Sequence, residues 1–174
     1  MDSAQLLSVL REDDATRRHA IGVFPADRLP VVEKYPCAFI VNSDESDQPG
    51  THWLAVYLTG DGRAEFFDSY GLSPETYGER LYAFLRKHGS QLIYNEVRLQ
   101  SFNTTVCGQH CLFYLLHRCR DISMRAITST FTDDYLVNDV LVQDFIEEKY
   151  DVDVPVTDSD FICRQICAKR NKNL

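Results

Sequence analysis

The spacing of apolar and polar residues changes along this chain, from short strand-like runs in the first hundred positions to helical stripes afterwards. Cys37-Ala-Phe-Ile-Val41 has the composition of a buried strand, and the polar residues 42–50 behind it read as a loop. His52-Trp-Leu-Ala-Val-Tyr-Leu-Thr59 and Arg63-Ala-Glu-Phe-Phe-Asp68 flank Gly60-Asp-Gly62, a hairpin signal. In the register that pairs Thr59 with Arg63, Asp68 faces Leu54 and lies diagonal to His52 on the same face. A one-residue slip would put the two on opposite faces. Residues 91–99 predict a further strand, whereas Ala20-Ile-Gly-Val-Phe-Pro-Ala-Asp-Arg-Leu-Pro30 predicts an extended segment crossing the surface.

Helical spacing is expected over residues 4–20, where Leu6, Leu7 and Leu10 recur, and over 74–88, where Leu81, Phe84 and Leu85 share a face and Gly89 ends the run. Residues 123–130 and 133–150 read as helices, the second with a stripe of Leu136, Val140, Leu141, Phe145 and Ile146. Val152-Asp-Val-Pro-Val156 is expected to be extended, and Asp158 to cap a last helix through Ala168. Between these lies Asn103-Thr-Thr-Val-Cys107-Gly-Gln-His-Cys-Leu-Phe-Tyr-Leu-Leu-His117, whose polar lead-in offers helix caps and whose apolar run predicts a buried helix with a cysteine near its start. Strands before helices give an α+β class, and the absence of a repeat or linker gives one domain over residues 1–174.

Composition narrows the function classes. The net charge of −8 opposes a general nucleic-acid surface, and Lys169-Arg170-Asn171-Lys172 is the locally basic run, read as a solvated terminus before a nuclear-import or phosphate-binding segment. No apolar run reaches the roughly eighteen residues of a membrane span, so no membrane partner is expected. The first residues lack a basic and then apolar leader, so an intracellular setting is expected. There the six cysteines, at 37, 107, 111, 119, 163 and 167, are expected to be reduced thiols. Cys111 and Cys119 read as core. Cys163 and Cys167, one helical turn apart, raise a zinc site with His110 or His117, against which stands the missing two-residue cysteine spacing.

A thiol at a helix N-terminus is activated by the positive end of the helix dipole, but attack on a carbonyl also needs a base, a group that orients the base and donors for the oxyanion. Cys107 is the candidate nucleophile, His52 the base and Asp68 its orienting acid. Gln100, in the connection leading to the helix, and the Cys107 N–H are candidate oxyanion donors. Each has a structural reading beside the chemical one: Cys107 and His52 as core residues, Asp68 before Ser-Tyr-Gly as a turn former, Gln100 as a loop residue. Trp53 reads as core or as a shield for the imidazole.

Gly50-Thr-His-Trp53, Phe66-Phe-Asp-Ser-Tyr-Gly71 and Gln100-Ser-Phe-Asn-Thr-Thr-Val-Cys107-Gly, in that order, resemble the adenovirus maturation proteases, the adenain family, and the wider clan that includes SUMO-specific proteases. The likeness covers roughly residues 20–117 and includes Ile21-Gly-Val-Phe and Cys37-Ala-Phe-Ile-Val-Asn42; its wording is nearest to proteases of Polinton (Maverick) elements and adenovirus-like viruses. The adenain family has a glutamate where this chain has Asp68, whereas the interval from Gln100 to Cys107 favours adenain over the SUMO proteases. The resemblance implies a papain-like fold in permuted order, an antiparallel sheet packed on a central buried helix, with His52, Asp68 and Cys107 catalytic and Gln100 with the Cys107 N–H as oxyanion hole. It also implies a cysteine endopeptidase acting on viral or transposon capsid and core precursors during particle maturation, after a small residue such as glycine. An isopeptidase that removes ubiquitin or SUMO is the first alternative, and a catalytically dead interaction module the second. Adenain is stimulated by DNA and by a disulfide-linked viral peptide. Here no cysteine lies between Cys37 and Cys107 and the charge is acidic, so no cofactor is required, DNA activation is not expected, and any activating peptide would bind non-covalently. A monomer is expected, located in the host nucleus, the cytoplasm or the virion.

Overall fold

The hairpin lies at the centre of a five-stranded sheet whose spatial order, β1-β2-β3-β4-β5, is also the chain order. Its strands in the computed structural model are β1 (Ala20–Phe24), β2 (Cys37–Asn42), β3 (Trp53–Leu58), β4 (Arg63–Phe67) and β5 (Gln91–Tyr94). The structure describes residues 1–150, so the extended segment at 152–156, the helix from Asp158, Cys163, Cys167 and the basic run at 169–172 lie outside the described residues. Leu58 pairs with Ala64 and Ala55 with Phe67, and the Thr59 N–H donates to the Arg63 carbonyl. This is the register in which His52 and Asp68 share a face.

The α+β class and the sheet packed on a buried helix match expectation, but the sheet is mixed rather than antiparallel. β2, β3 and β4 are antiparallel neighbours, whereas β1 runs parallel to β2 and β5 parallel to β4. A parallel neighbour needs a crossover, and the chain supplies one on each side. Residues 25–36 return it from β1 to β2, and α2 (Glu79–His88) carries it from β4 to β5. The segment expected to cross the surface is therefore an edge strand, with a bulge between Ala20 and Gly22, because the free edge of β2 needs backbone partners. Gly78, at φ 95°, divides the helix expected over 74–88 into a 3₁₀ turn, Pro74–Tyr77, and α2.

Period-two alternation gives the sheet two apolar faces. Phe39, Val41, Leu54, Val56 and Phe66 pack with Leu81 and Leu85 of α2. On the other face Ile40, Ala55, Tyr57 and Phe67 pack with α1 (Ser3–Glu12) and with α3 (Cys107–Arg118). Every residue of α3 from Cys107 to Leu116 is buried. A buried charge cluster fixes its far end: the Glu65 carboxylate accepts from Tyr114 Oη at 2.6 Å and from Arg118 Nε at 2.7 Å and Nη2 at 3.1 Å. The Tyr114 ring stacks on Phe67 with centroids 4.6 Å apart. These contacts tie α3 to β4, the strand that Asp68 immediately follows.

The short helix α4 (Met124–Thr128) and α5 (Tyr135–Lys149) cover α3 from the side away from the sheet. The face that α5 turns inward shares only Ile146 and the partly buried Phe145 with the predicted apolar stripe. Asn138, Asp139, Val142, Gln143 and Ile146 are its buried residues, while Leu141 is exposed. Asn138 and Asp139 face the interior because they hydrogen-bond the loop before α3, which outweighs their desolvation. Among the described residues no helix is long and apolar enough to cross a membrane.

Leu112, fully buried between α3 and the sheet, measures how much this packing contributes. Leu112→Ala is expected to destabilise the fold by about 2–5 kcal/mol, read as a lower denaturation midpoint in urea at unchanged slope.

Candidate active site

The hairpin and α3 bring together three of the four residues singled out in the sequence. His52 immediately precedes β3 and Asp68 immediately follows β4; His52 Nε2 donates to Asp68 Oδ1 at 2.7 Å. A carboxylate only accepts, so the proton sits on Nε2 and leaves Nδ1 for the hydrogen bond that His52 shares with the Cys107 thiol. Both His52 and Cys107 are buried, and Asp68 is completely so. Tyr70 stacks on the imidazole with centroids 4.7 Å apart, closing one face of it to water.

Asp68 is a turn former and an orienting acid at once. Besides the imidazole, its Oδ1 accepts the Tyr70 N–H at 2.9 Å, and its Oδ2 accepts the Leu72 N–H at 2.9 Å and the Tyr77 hydroxyl at 2.8 Å. Its backbone is clamped by Asn95, whose Oδ1 accepts the Asp68 N–H at 2.9 Å and whose Nδ2 donates to the Asp68 carbonyl at 2.6 Å. This explains why β5 stops at Tyr94, short of the expected 91–99: the next side chain, not the next peptide, continues the pairing. Gly71 completes the turn at φ 70°, where an added Cβ would lie 2.5 Å from the Val97 carbonyl carbon. Asn95, in the middle of the strand expected over 91–99, carries no sequence signal of this role.

The electrostatics favour an ion pair. Burial would raise the Asp68 pKa, but the hydrogen bonds from His52 and from the Tyr70 N–H outweigh it and hold the carboxyl below its ordinary range. Burial likewise opposes a charge on His52, yet the bonds to Asp68 and Cys107 raise its pKa to about 9. At Cys107 burial favours the thiol, and His52 with the backbone N–H of Trp53 reverses that and lowers the pKa. The other described cysteines lack such partners: burial pushes Cys37 up to about 11, Cys119 up to about 12 and Cys111 well up. Cys111 and Cys119 are core, as expected.

The start of α3 differs from expectation. None of Asn103, Thr104 or Thr105 caps it; Val106 is the N-cap and supplies no side-chain bond. Thr104 instead hydrogen-bonds Asp139. The first N–H groups of the helix are thus left without a capping side chain beside the Cys107 sulfur, where they favour negative charge. Gln100 is fully buried. Its Oε1 accepts from Ser69 Oγ at 2.6 Å and its Nε2 donates to the Thr104 carbonyl at 3.1 Å and, more weakly, to Thr104 Oγ1 at 3.4 Å, which fixes the amide orientation. Trp53 is half-buried; its Nε1 donates to the Met1 carbonyl at 3.1 Å, and its ring edge lies over Gly108. His110, one of the residues weighed as a zinc partner, is bonded through Nε2 to Asp139 at 2.9 Å.

No family model matches the chain. It is 32% identical over 129 residues to the cysteine protease S273R of African swine fever virus (isolate Tick/Malawi/Lil 20-1/1983), a match covering 64% of this chain and 47% of that protein. The chain therefore spans about half the length of that relative. Among solved structures, that of the African swine fever virus pS273R protease is similar over 63% of this chain and 44% of the other, at 25% identity and a TM-score of 0.45. The central domain of an uncharacterized protein, Lpg1148, from Legionella pneumophila is similar over 85% of this chain and 96% of the other, at 14% identity and a TM-score of 0.47.

If His52 and Cys107 share an ion pair, removing the thiolate removes part of what holds the imidazole protonated. In Cys107→Ala the His52 titration, followed by NMR of its ring, is expected to move from about 9 down toward the ordinary histidine value of 6.5. Iodoacetamide is expected to label Cys107 far ahead of Cys37, Cys111 and Cys119 at neutral pH, with a rate that falls on acidification as His52 hands the thiolate its proton.

Proposed function

We propose that this chain is a cysteine endopeptidase of the adenain-like type, cleaving precursor proteins of a viral or transposon particle during maturation. The observation that carries the reading is the buried relay in which His52 bonds Asp68 on one nitrogen and the Cys107 thiol, at the start of a buried helix, on the other. The sequence similarity to a viral cysteine protease supports the same chemistry. In this reaction the Cys107 thiolate attacks the scissile carbonyl carbon. The carbonyl oxygen takes the electron pair and is held by the Cys107 N–H and by the Gln100 amide, whose long 3.4 Å contact with Thr104 Oγ1 gives way to the oxyanion. As the C–N bond breaks, the His52 imidazolium gives its proton to the leaving amine. The imidazole, held by Asp68, then takes a proton from water, which attacks the thioester and releases Cys107. None of these steps calls on a metal or an organic cofactor, and the proposal extends to activity without DNA or a tethered peptide, as a monomer inside the host cell or the virion. Cleavage after a small residue such as glycine, within one catalytic domain, belongs to the same proposal.

The test is cleavage-site profiling on a peptide library, followed by variants at the site. Cys107→Ala and His52→Ala are expected to abolish turnover, while Asp68→Asn and Gln100→Ala each lower kcat by about 10²–10⁴-fold and leave measurable activity. Turnover by Cys107→Ala would overturn the proposal. Release of ubiquitin or SUMO from conjugates without cleavage of linear peptides would favour the isopeptidase instead.

A further inference from the structure

The inward face of α5 presents two consecutive polar residues, Asn138 and Asp139, both buried, to the loop that leads into α3. Asn138 Nδ2 donates to the Leu99 carbonyl at 3.0 Å, and Asp139 Oδ2 accepts the Ser101 N–H at 3.1 Å. These two bonds grip the backbone on either side of Gln100. The second lone pairs and the second oxygen extend the grip. Asp139 Oδ2 also accepts from Thr104 Oγ1 at 2.8 Å, and Thr104 provides the carbonyl on which the Gln100 amide rests. Asp139 Oδ1 accepts from His110 Nε2, in the first turn of the Cys107 helix, at 2.9 Å. Asn138 is itself fixed, through the Thr132 carbonyl at 2.9 Å and the Thr132 N–H at 2.8 Å.

We propose that Asn138 and Asp139 are positioning residues that set the Gln100 amide and the first turn of α3 relative to each other, and so build the oxyanion site from α5. The inference rests on the reading of the chain as a peptidase. Neither side chain reaches the His52–Cys107 pair in this arrangement: Asp139 is held by Ser101, Thr104 and His110, and Asn138 by Leu99 and Thr132. Buried among apolar side chains, His110 is disfavoured as a cation, so it joins the network as a neutral donor and adds no second positive charge beside His52. Loss of the grip therefore frees the loop without disarming the thiolate. The nucleophile and the oxyanion donors become separable in experiment.

The full chain carrying Asp139→Ala, Asp139→Asn or Thr104→Val is compared with wild type by three readouts: steady-state cleavage of a peptide the wild type cuts, alkylation of Cys107 by iodoacetamide, and thermal unfolding. Alkylation needs the thiolate but no oxyanion donor. Asp139→Ala is expected to lower kcat by about 10²-fold, with KM changed by less than about threefold and the alkylation rate by less than about twofold, since a misplaced donor acts on the transition state. Asp139→Asn, which keeps an acceptor oxygen, is expected to recover part of that loss. Thr104→Val, which deletes the hydroxyl's bonds to Asp139, to the Ser101 carbonyl and to the Gln100 amide but keeps the Thr104 carbonyl, is expected to lower kcat by about tenfold in a protein that folds as wild type does. Unchanged kcat in Thr104→Val and Asp139→Asn would overturn the proposal, as would loss of alkylation in step with kcat and melting temperature. Failure of wild type to cleave any peptide while Cys107 still alkylates fast would instead strike the peptidase reading.

Discussion

A carboxylate held away from water at the end of a β-strand is the constraint on which the rest of this molecule turns. Taking Asp68 into the interior as an anion costs several kcal/mol, and the structure offsets that with hydrogen bonds from an imidazole, two backbone amides and a phenol. Each donor fixes something else in turn. The amides require the tight turn that ends at Gly71, the phenol requires Tyr77 in the 3₁₀ turn before α2, and the imidazole requires His52 at the start of the adjacent strand. Asn95 then locks the same residue from the backbone side. An aspartate so placed cannot rotate away, and the histidine it holds cannot either.

The thiol side of the site is built by different means. Cys107 is placed by a helix whose far end is bolted to β4 through Glu65, Tyr114 and Arg118, and whose near end is bolted to α5 through His110 and Asp139. Between these anchors the helix is surrounded by apolar side chains of the sheet, α1 and α5. The two halves meet where the Cys107 thiol reaches His52 and the Trp53 N–H. Polar contacts thus locate the ends of the helix, and packing locates its length.

What could be read from the sequence follows from how local the determining interactions are. Gly60-Asp-Gly62 set the hairpin register, and with it the shared face of His52 and Asp68, because a one-residue slip would move every apolar side chain of a strand to the opposite face. The buried run after Cys107 was legible for the same reason. The parallel edges were not, since nothing in the local pattern of β1 or β5 tells which way its neighbour runs. Apolar spacing points to the wrong face of α5 because the inward polar residues Asn138 and Asp139 find their partners some forty positions away, at Leu99, Ser101 and Thr104. Val106 gives no cap signal in the sequence, because a side chain with no hydrogen bond to offer leaves no mark of the kind Ser, Thr, Asp and Asn leave.

The hairpin that carries His52 and Asp68 spans a short stretch of chain, whereas Cys107 reaches them only after α2, β5 and the Gln100 loop have been laid down. Local pairings of this kind form early in folding, and docking of a distant helix comes late. The thiolate owes its existence to that late contact, since without His52 and the Trp53 N–H burial alone would keep the sulfur protonated. The stabilised thiolate is therefore a property of the docked helix and the hairpin together, not of the segment that carries Cys107.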